Sequence, residues 1–91
     1  MKKYEEYACV WDAIADTPES AANLRLRAEL ARKIVLHIRR SRWGRRDAAL
    51  ICGVTQPRLG ELLDGRISKF SLDALIDVAT AIGCRVQFEL V

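Results

Sequence analysis

The sequence predicts a single, mainly α-helical domain that ends in one β-strand. The chain has 91 residues, of which 51% are hydrophobic, enough for one small core but not for two domains. Apolar residues recur three and four positions apart in five successive segments, which is typical of amphipathic helices. Only the last residues alternate apolar and polar with period two, as a half-buried strand does.

The first two predicted helices are separated by a helix-start signal. The spacing of the aromatic and apolar residues over 4–15 predicts a short helix, so residues 1–16 form an N-terminal extension of the domain. Thr17 then suits an N-cap and Pro18 a first helical position. No Gly or Pro follows until Gly44, and we expect one long helix over residues 18–41. Its predicted apolar stripe is Leu24, Ala28, Ala31, Val35 and Ile38, widened by Leu30 and Ile34.

Three shorter helices are predicted in the second half, each bounded by turn residues. The first covers residues 45–52, and Gly53 follows it as a C-terminal cap. Thr55 is the N-cap of the next, which ends at Asp64 and Gly65. Ser71 caps the last helix, which Gly83 ends. The expected buried face of this last helix is Leu72, Leu75, Ile76, Ala79 and Ile82.

Residues 84–91 are predicted to form the strand, with Val86, Phe88 and Leu90 on its apolar face. A lone strand is marginal and leaves backbone groups unpaired, and no other segment has the pattern of a strand. We therefore expect residues 84–91 to pair antiparallel with the same residues of a second subunit across a two-fold axis. The alternative is that this tail packs alone on the long helix.

Positive charge is concentrated in the middle of the chain. Residues 25–69 contain twelve basic and four acidic residues, a net charge of +8. Residues 1–24 contain two Lys and five acidic residues, net −3, and residues 70–91 contain one Arg and three acidic residues, net −2. A basic centre of this kind attracts a polyanion such as nucleic acid. The alternative is a solvated helix face, because Arg is a good helix former.

Several classes of protein are disfavoured by composition. No apolar run approaches the roughly 20 residues that span a membrane, and the first residues do not form a signal peptide. Cys9, Cys52 and Cys84 are odd in number and widely spaced, which argues against a disulfide framework or a zinc site. His37, the single histidine, is expected to be exposed and has no paired nucleophile. We expect a cytoplasmic protein that is not an enzyme and binds no cofactor or metal.

Two short helices joined by a glycine turn form the most informative motif. The small Ala48 and Ala49 allow close approach of the helices, and Gly53 supplies the turn. Val54 and Leu59 are expected to fill the angle between them. The exposed face of the second helix would then present Gln56, Pro57, Arg58 and Gly60. Gln and Arg side chains can pair bidentately with base edges in the major groove.

This motif resembles the helix-turn-helix of the Xre family, the lambda-repressor-like DNA-binding domains. Residues 10–91 are more closely similar to HigA-type antitoxin regulators. Where that family usually opens its second helix with Leu-Thr-Gln, this chain has Trp43, Gly44 and Arg45, so a Thr cap is lost. The segments that carry the resemblance are Val10-Trp11-Asp12-Ala13, Ala21-Ala22-Asn23-Leu24, Gly53-Val54-Thr55-Gln56-Pro57-Arg58 and Phe70-Ser71-Leu72-Asp73-Ala74-Leu75.

The resemblance implies one helix-turn-helix DNA-binding domain over residues 1–91 and a sequence-specific transcriptional regulator. It would bind an inverted-repeat operator as a homodimer, repress its own operon and neutralise a small basic RelE-like toxin. The expected base contacts are Gln56, Pro57, Arg58 and Gly60, and the expected phosphate contacts are Arg39, Arg42, Arg45, Thr55 and Lys69. The alternative is a protein-interaction module that uses the motif only as a scaffold, which the +8 centre disfavours.

Overall fold

The computed structural model describes residues 18–91, which contain one long helix and three short ones. The predicted helix over residues 4–15 and the Thr17 cap lie outside the described residues. No helix within 18–91 is both long and apolar enough to cross a membrane. The helices are α1 (Pro18–Ser41), α2 (Arg45–Cys52), α3 (Gln56–Leu63) and α4 (Leu72–Ala81), with a 3-10 turn at Ile67–Lys69 between α3 and α4.

Helix α1 packs against α4, α3 and the 3-10 turn, whereas α2 packs on α3 and α4. The 24 residues of α1 correspond to about 36 Å of helix. Glu19 in its first turn and Arg39 and Arg40 in its last turn complement the helix dipole. An exposed pair joins Lys33 Nζ to a Glu29 carboxylate oxygen at 3.4 Å. The predicted stripe is confirmed, since Leu24, Ala28, Ala31, Val35 and Ile38 are all buried. Of the two residues expected to widen it, Ile34 is buried and Leu30 is half-buried.

Helix α4 makes the most extensive contact with α1. Its buried face differs from the predicted one at its edges. Leu72 and Ile76 are only half-buried, whereas Val78, which was not predicted, is buried. Both sets follow the helical repeat of three and four residues, so the repeat alone does not decide which face is buried; the packing of α4 against both α1 and α2 does.

Side-chain caps begin two of the three short helices as predicted. The Arg58 amide donates to Thr55 Oγ1 at 3.3 Å, and the Ala74 amide donates to Ser71 Oγ at 3.1 Å. Gly44, the N-cap of α2, supplies no side-chain hydrogen bond, as the loss of Thr at this position predicted. Gly53 ends α2 with φ of +73°, a left-handed conformation that favours glycine.

The predicted strand over residues 84–91 is wrong for the described chain. These residues form no strand, because residues 18–91 provide no second strand with which their backbone could pair. Cys84 and Val86 pack against the core, whereas Phe88 is 57% exposed and Leu90 is fully exposed. The first half of the tail therefore packs alone on the helices, and the structure gives no support for strand pairing between subunits.

Candidate nucleic-acid interface

Helices α2 and α3 pack together through small and apolar side chains. Ala48 and Ala49 are buried on α2, and Leu59 on α3 is completely buried. Val54 lies in the turn and packs against the same core. The turn is closed by the Gly53 amide, which donates to the Leu50 carbonyl at 3.2 Å, and by the Val54 amide, which donates to the Ala49 carbonyl at 3.0 Å. The predicted helix-turn-helix is thus present.

The first turn of α3 is open to solvent. Thr55, Gln56 and Pro57 are exposed, while Leu59 anchors the opposite side of the helix in the core. Pro57 lacks an amide hydrogen, but no hydrogen bond is lost because the first amides of a helix have no partner within it. In helix-turn-helix domains the N-terminal residues of the second helix contact base edges. The exposed end of α3 is therefore available for contact of this kind.

Arg58 is less exposed than the sequence predicted. It is half-buried, and its guanidinium carbon lies 4.4 Å from the centroid of the Phe70 ring. Phe70 follows the 3-10 turn and is only 1% exposed. Sequence reasoning missed this contact, since the two residues belong to different elements and no periodicity connects them.

Gly60 is also half-buried, because the side chain of Arg45 lies against it. A Cβ atom at Gly60 would lie 3.4 Å from Arg45 Nη1. The guanidinium of a residue at the start of α2 thus lies next to the backbone of α3. This arrangement places a predicted phosphate contact directly beside the helix that carries the predicted base contacts.

All five predicted phosphate contacts are exposed, namely Arg39, Arg42, Arg45, Thr55 and Lys69. None of the four cations among them forms an ion pair with another residue in 18–91.

Arg42 follows α1 with φ of +58°, and its amide donates to the Arg39 carbonyl at 3.2 Å. A left-handed conformation costs an arginine roughly 1–2 kcal/mol relative to right-handed backbone.

The prediction that His37 is exposed is wrong. His37 is half-buried, with Nδ1 at 3.5 Å from Cys84 Sγ and its ring 6.1 Å from that of Trp43 in an edge-on arrangement. These contacts connect the end of α1 to the tail and to the segment before α2.

Cys52 is buried as predicted, and burial raises the pKa of its thiol, so this group stays neutral at pH 7.

Comparison with known proteins gives one family match. A family model described as a helix-turn-helix domain matches residues 13–90. No curated protein matches the chain. The family match includes all four described helices and nearly all of the tail. It therefore rests on the whole helical bundle and not on the α2–α3 motif alone.

Proposed function

The chain belongs to a family of helix-turn-helix domains, and on this basis we propose that it is a sequence-specific DNA-binding transcriptional regulator. The observation that carries the proposal is the exposed first turn of α3, with Arg45 packed beside the helix. One solvent-exposed helix end thereby combines polar groups suited to base edges with a cation suited to phosphate. The net charge of +8 over residues 25–69 supports a polyanionic ligand.

We assign different tasks to the two sets of predicted contacts. Gln56 and Arg58 supply hydrogen bonds to base edges, and the exposed Pro57 allows the start of α3 to approach the groove. Gly60, in contrast, lies against the Arg45 side chain. The exposed cations and Thr55 hold the DNA backbone and fix the register of α3, without reading sequence themselves. A search for bound sequences in a pool of randomised duplexes tests this function directly. Selection of no sequence would leave the protein-interaction module as the better proposal.

Gln56→Ala and Arg58→Ala should each weaken binding to the selected duplex by about 1–3 kcal/mol, because each removes contacts to a base. Fluorescence anisotropy measures the dissociation constants at fixed salt. Gln87→Ala and Arg85→Ala are the controls, since they remove the same two side-chain types from exposed positions in the tail. Binding by both α3 variants at the wild-type level would show that α3 does not contact bases.

Arg45→Ala should weaken binding to selected and unrelated duplexes alike, because a phosphate contact is independent of sequence. The slope of log affinity against log salt should become shallower by about 1. Titrations at several salt concentrations provide the slope, and Gln56→Ala serves as a control that removes no charge. A slope identical to wild type for Arg45→Ala would place its guanidinium away from the DNA backbone.

We further propose that the regulator is a homodimer on an inverted-repeat operator. Two copies of α3 would enter successive major grooves about 34 Å apart, which requires that two subunits be held together. The support comes from the end of the tail, where Phe88 and Leu90 are exposed to solvent. Apolar side chains in this position are suited to contact with a second copy.

The resemblance to HigA-type regulators supports a narrower proposal, that the protein represses its own operon and neutralises a small basic RelE-like toxin. Residues 1–24 carry a net charge of −3, which suits a basic partner. The test is to express a small basic protein encoded beside its gene, alone and together with this chain, and to measure the growth of the host cells. We expect the full chain to restore growth and a chain lacking residues 1–16 to restore it less. Growth arrest that the full chain leaves unchanged would exclude this pairing.

A further inference from the structure

Phe70 is held rigidly at the junction between the 3-10 turn and α4. Its side chain is 1% exposed and belongs to the main core. Its amide donates to the Ile67 carbonyl at 3.1 Å, and its carbonyl accepts from Arg27 Nη1 at 3.0 Å. Burial and both backbone hydrogen bonds therefore fix the position of the ring relative to α1 and the 3-10 turn.

Arg58 lies against this fixed ring from the neighbouring α3. Its guanidinium carbon is 4.4 Å from the ring centroid, well within the range of about 6 Å for a cation–π contact. Within residues 18–91 this guanidinium has no carboxylate partner. Because a phenyl ring accepts no ordinary hydrogen bond, the N–H donors of Arg58 remain available to a ligand. The contact therefore orients the side chain without using its donors.

We propose that Phe70 is a positioning residue that prepares Arg58 to bind a guanine in the major groove. Arg is suited to guanine because its planar fork can donate to O6 and N7 together. A free arginine loses much rotamer freedom when it forms such a pair, and a side chain already oriented by a ring loses less. This inference rests on the proposed DNA-binding function, and it assigns to Phe70 a part in the sequence specificity of that binding.

The test compares Phe70→Leu with wild type on duplexes that the wild-type protein selects from a randomised pool. We expect Phe70→Leu to lose about 3- to 20-fold in affinity for the selected duplex, with no comparable loss on an unrelated duplex. In an Arg58→Ala background, Phe70→Leu should cause no further loss of affinity for the selected duplex. Ile34→Val is the control for core shrinkage, since it shortens a buried α1 side chain beside the tail and should leave the selectivity unchanged.

A second measurement does not depend on the folding of a variant. In the free wild-type protein, the ring current of Phe70 should shift the NMR signals of the Arg58 side chain away from those of a solvated arginine. Arg58 signals at ordinary positions would overturn the inference, because the contact would then be absent in solution.

The outcomes separate this inference from the function on which it rests. A wild-type protein that selects no sequence contradicts both. If the wild-type protein selects a sequence, and Phe70→Leu lowers the affinity equally in the presence and absence of Arg58, only the positioning role is contradicted. A loss of affinity matched by Ile34→Val would assign the effect to core stability and likewise overturn the role of Phe70.

Discussion

Leu59→Ala should lower the free energy of unfolding by about 2–5 kcal/mol. Leu59 is 0% exposed and lies at the centre of α3, a helix of 8 residues. A helix this short is unstable in isolation, so its stability comes from packing. The expected loss is a large part of the roughly 5–15 kcal/mol that holds a typical small domain together. Because α3 carries the candidate base contacts, DNA binding should fall with stability.

Leu50→Ala is the matched control for this prediction. Leu50 lies on the adjacent α2 but is 73% exposed, so its truncation should change the unfolding free energy by no more than about 0.5 kcal/mol. Urea denaturation followed by circular dichroism provides both values. Similar losses for the two variants would mean that Leu59 does not anchor α3.

The helices of this fold are specified by local signals, which is why the sequence predicted them closely. The expected helix over residues 45–52 agrees with Arg45–Cys52, and Thr55 and Ser71 cap the next two helices. An N-cap, a glycine after the helix and apolar residues that recur every three or four positions are all signals from neighbouring residues. Such features are readable from a single sequence.

The tail and the site contain the features that local signals do not specify. Period-two alternation predicted a strand over residues 84–91, but a strand exists only where another backbone pairs with it. Similarly, the contacts of Arg58 with Phe70 and of His37 with Cys84 join distant parts of the chain. Their partners follow from the packing of the helices. The exposure of Arg58 and of His37 was mispredicted for the same reason, because each side chain is partly covered by a residue from a distant part of the chain.

Removal of residues 88–91 should convert the proposed dimer into a monomer and weaken binding to an inverted-repeat duplex by at least about 100-fold. Phe88 is 57% exposed and the two last residues are fully exposed, so this end of the tail contributes little to the core of its own chain. Burial of one such apolar side chain by a second subunit is worth roughly 1.5–3 kcal/mol. The shortened chain keeps Cys84 and Val86, which pack on the core, so it should still fold.

Sedimentation and binding measurements on the same shortened chain distinguish assembly from DNA contact. A monomer should bind a single half-site as well as wild type does, because α3 and the exposed cations are unchanged. It should lose affinity only for the duplex with two half-sites, where a linked second subunit acts at high effective concentration. Glu89→Gln is the control, since it alters the same segment without removing apolar surface. A shortened chain that sediments as a dimer and binds both duplexes at full strength would show that subunits associate through another surface.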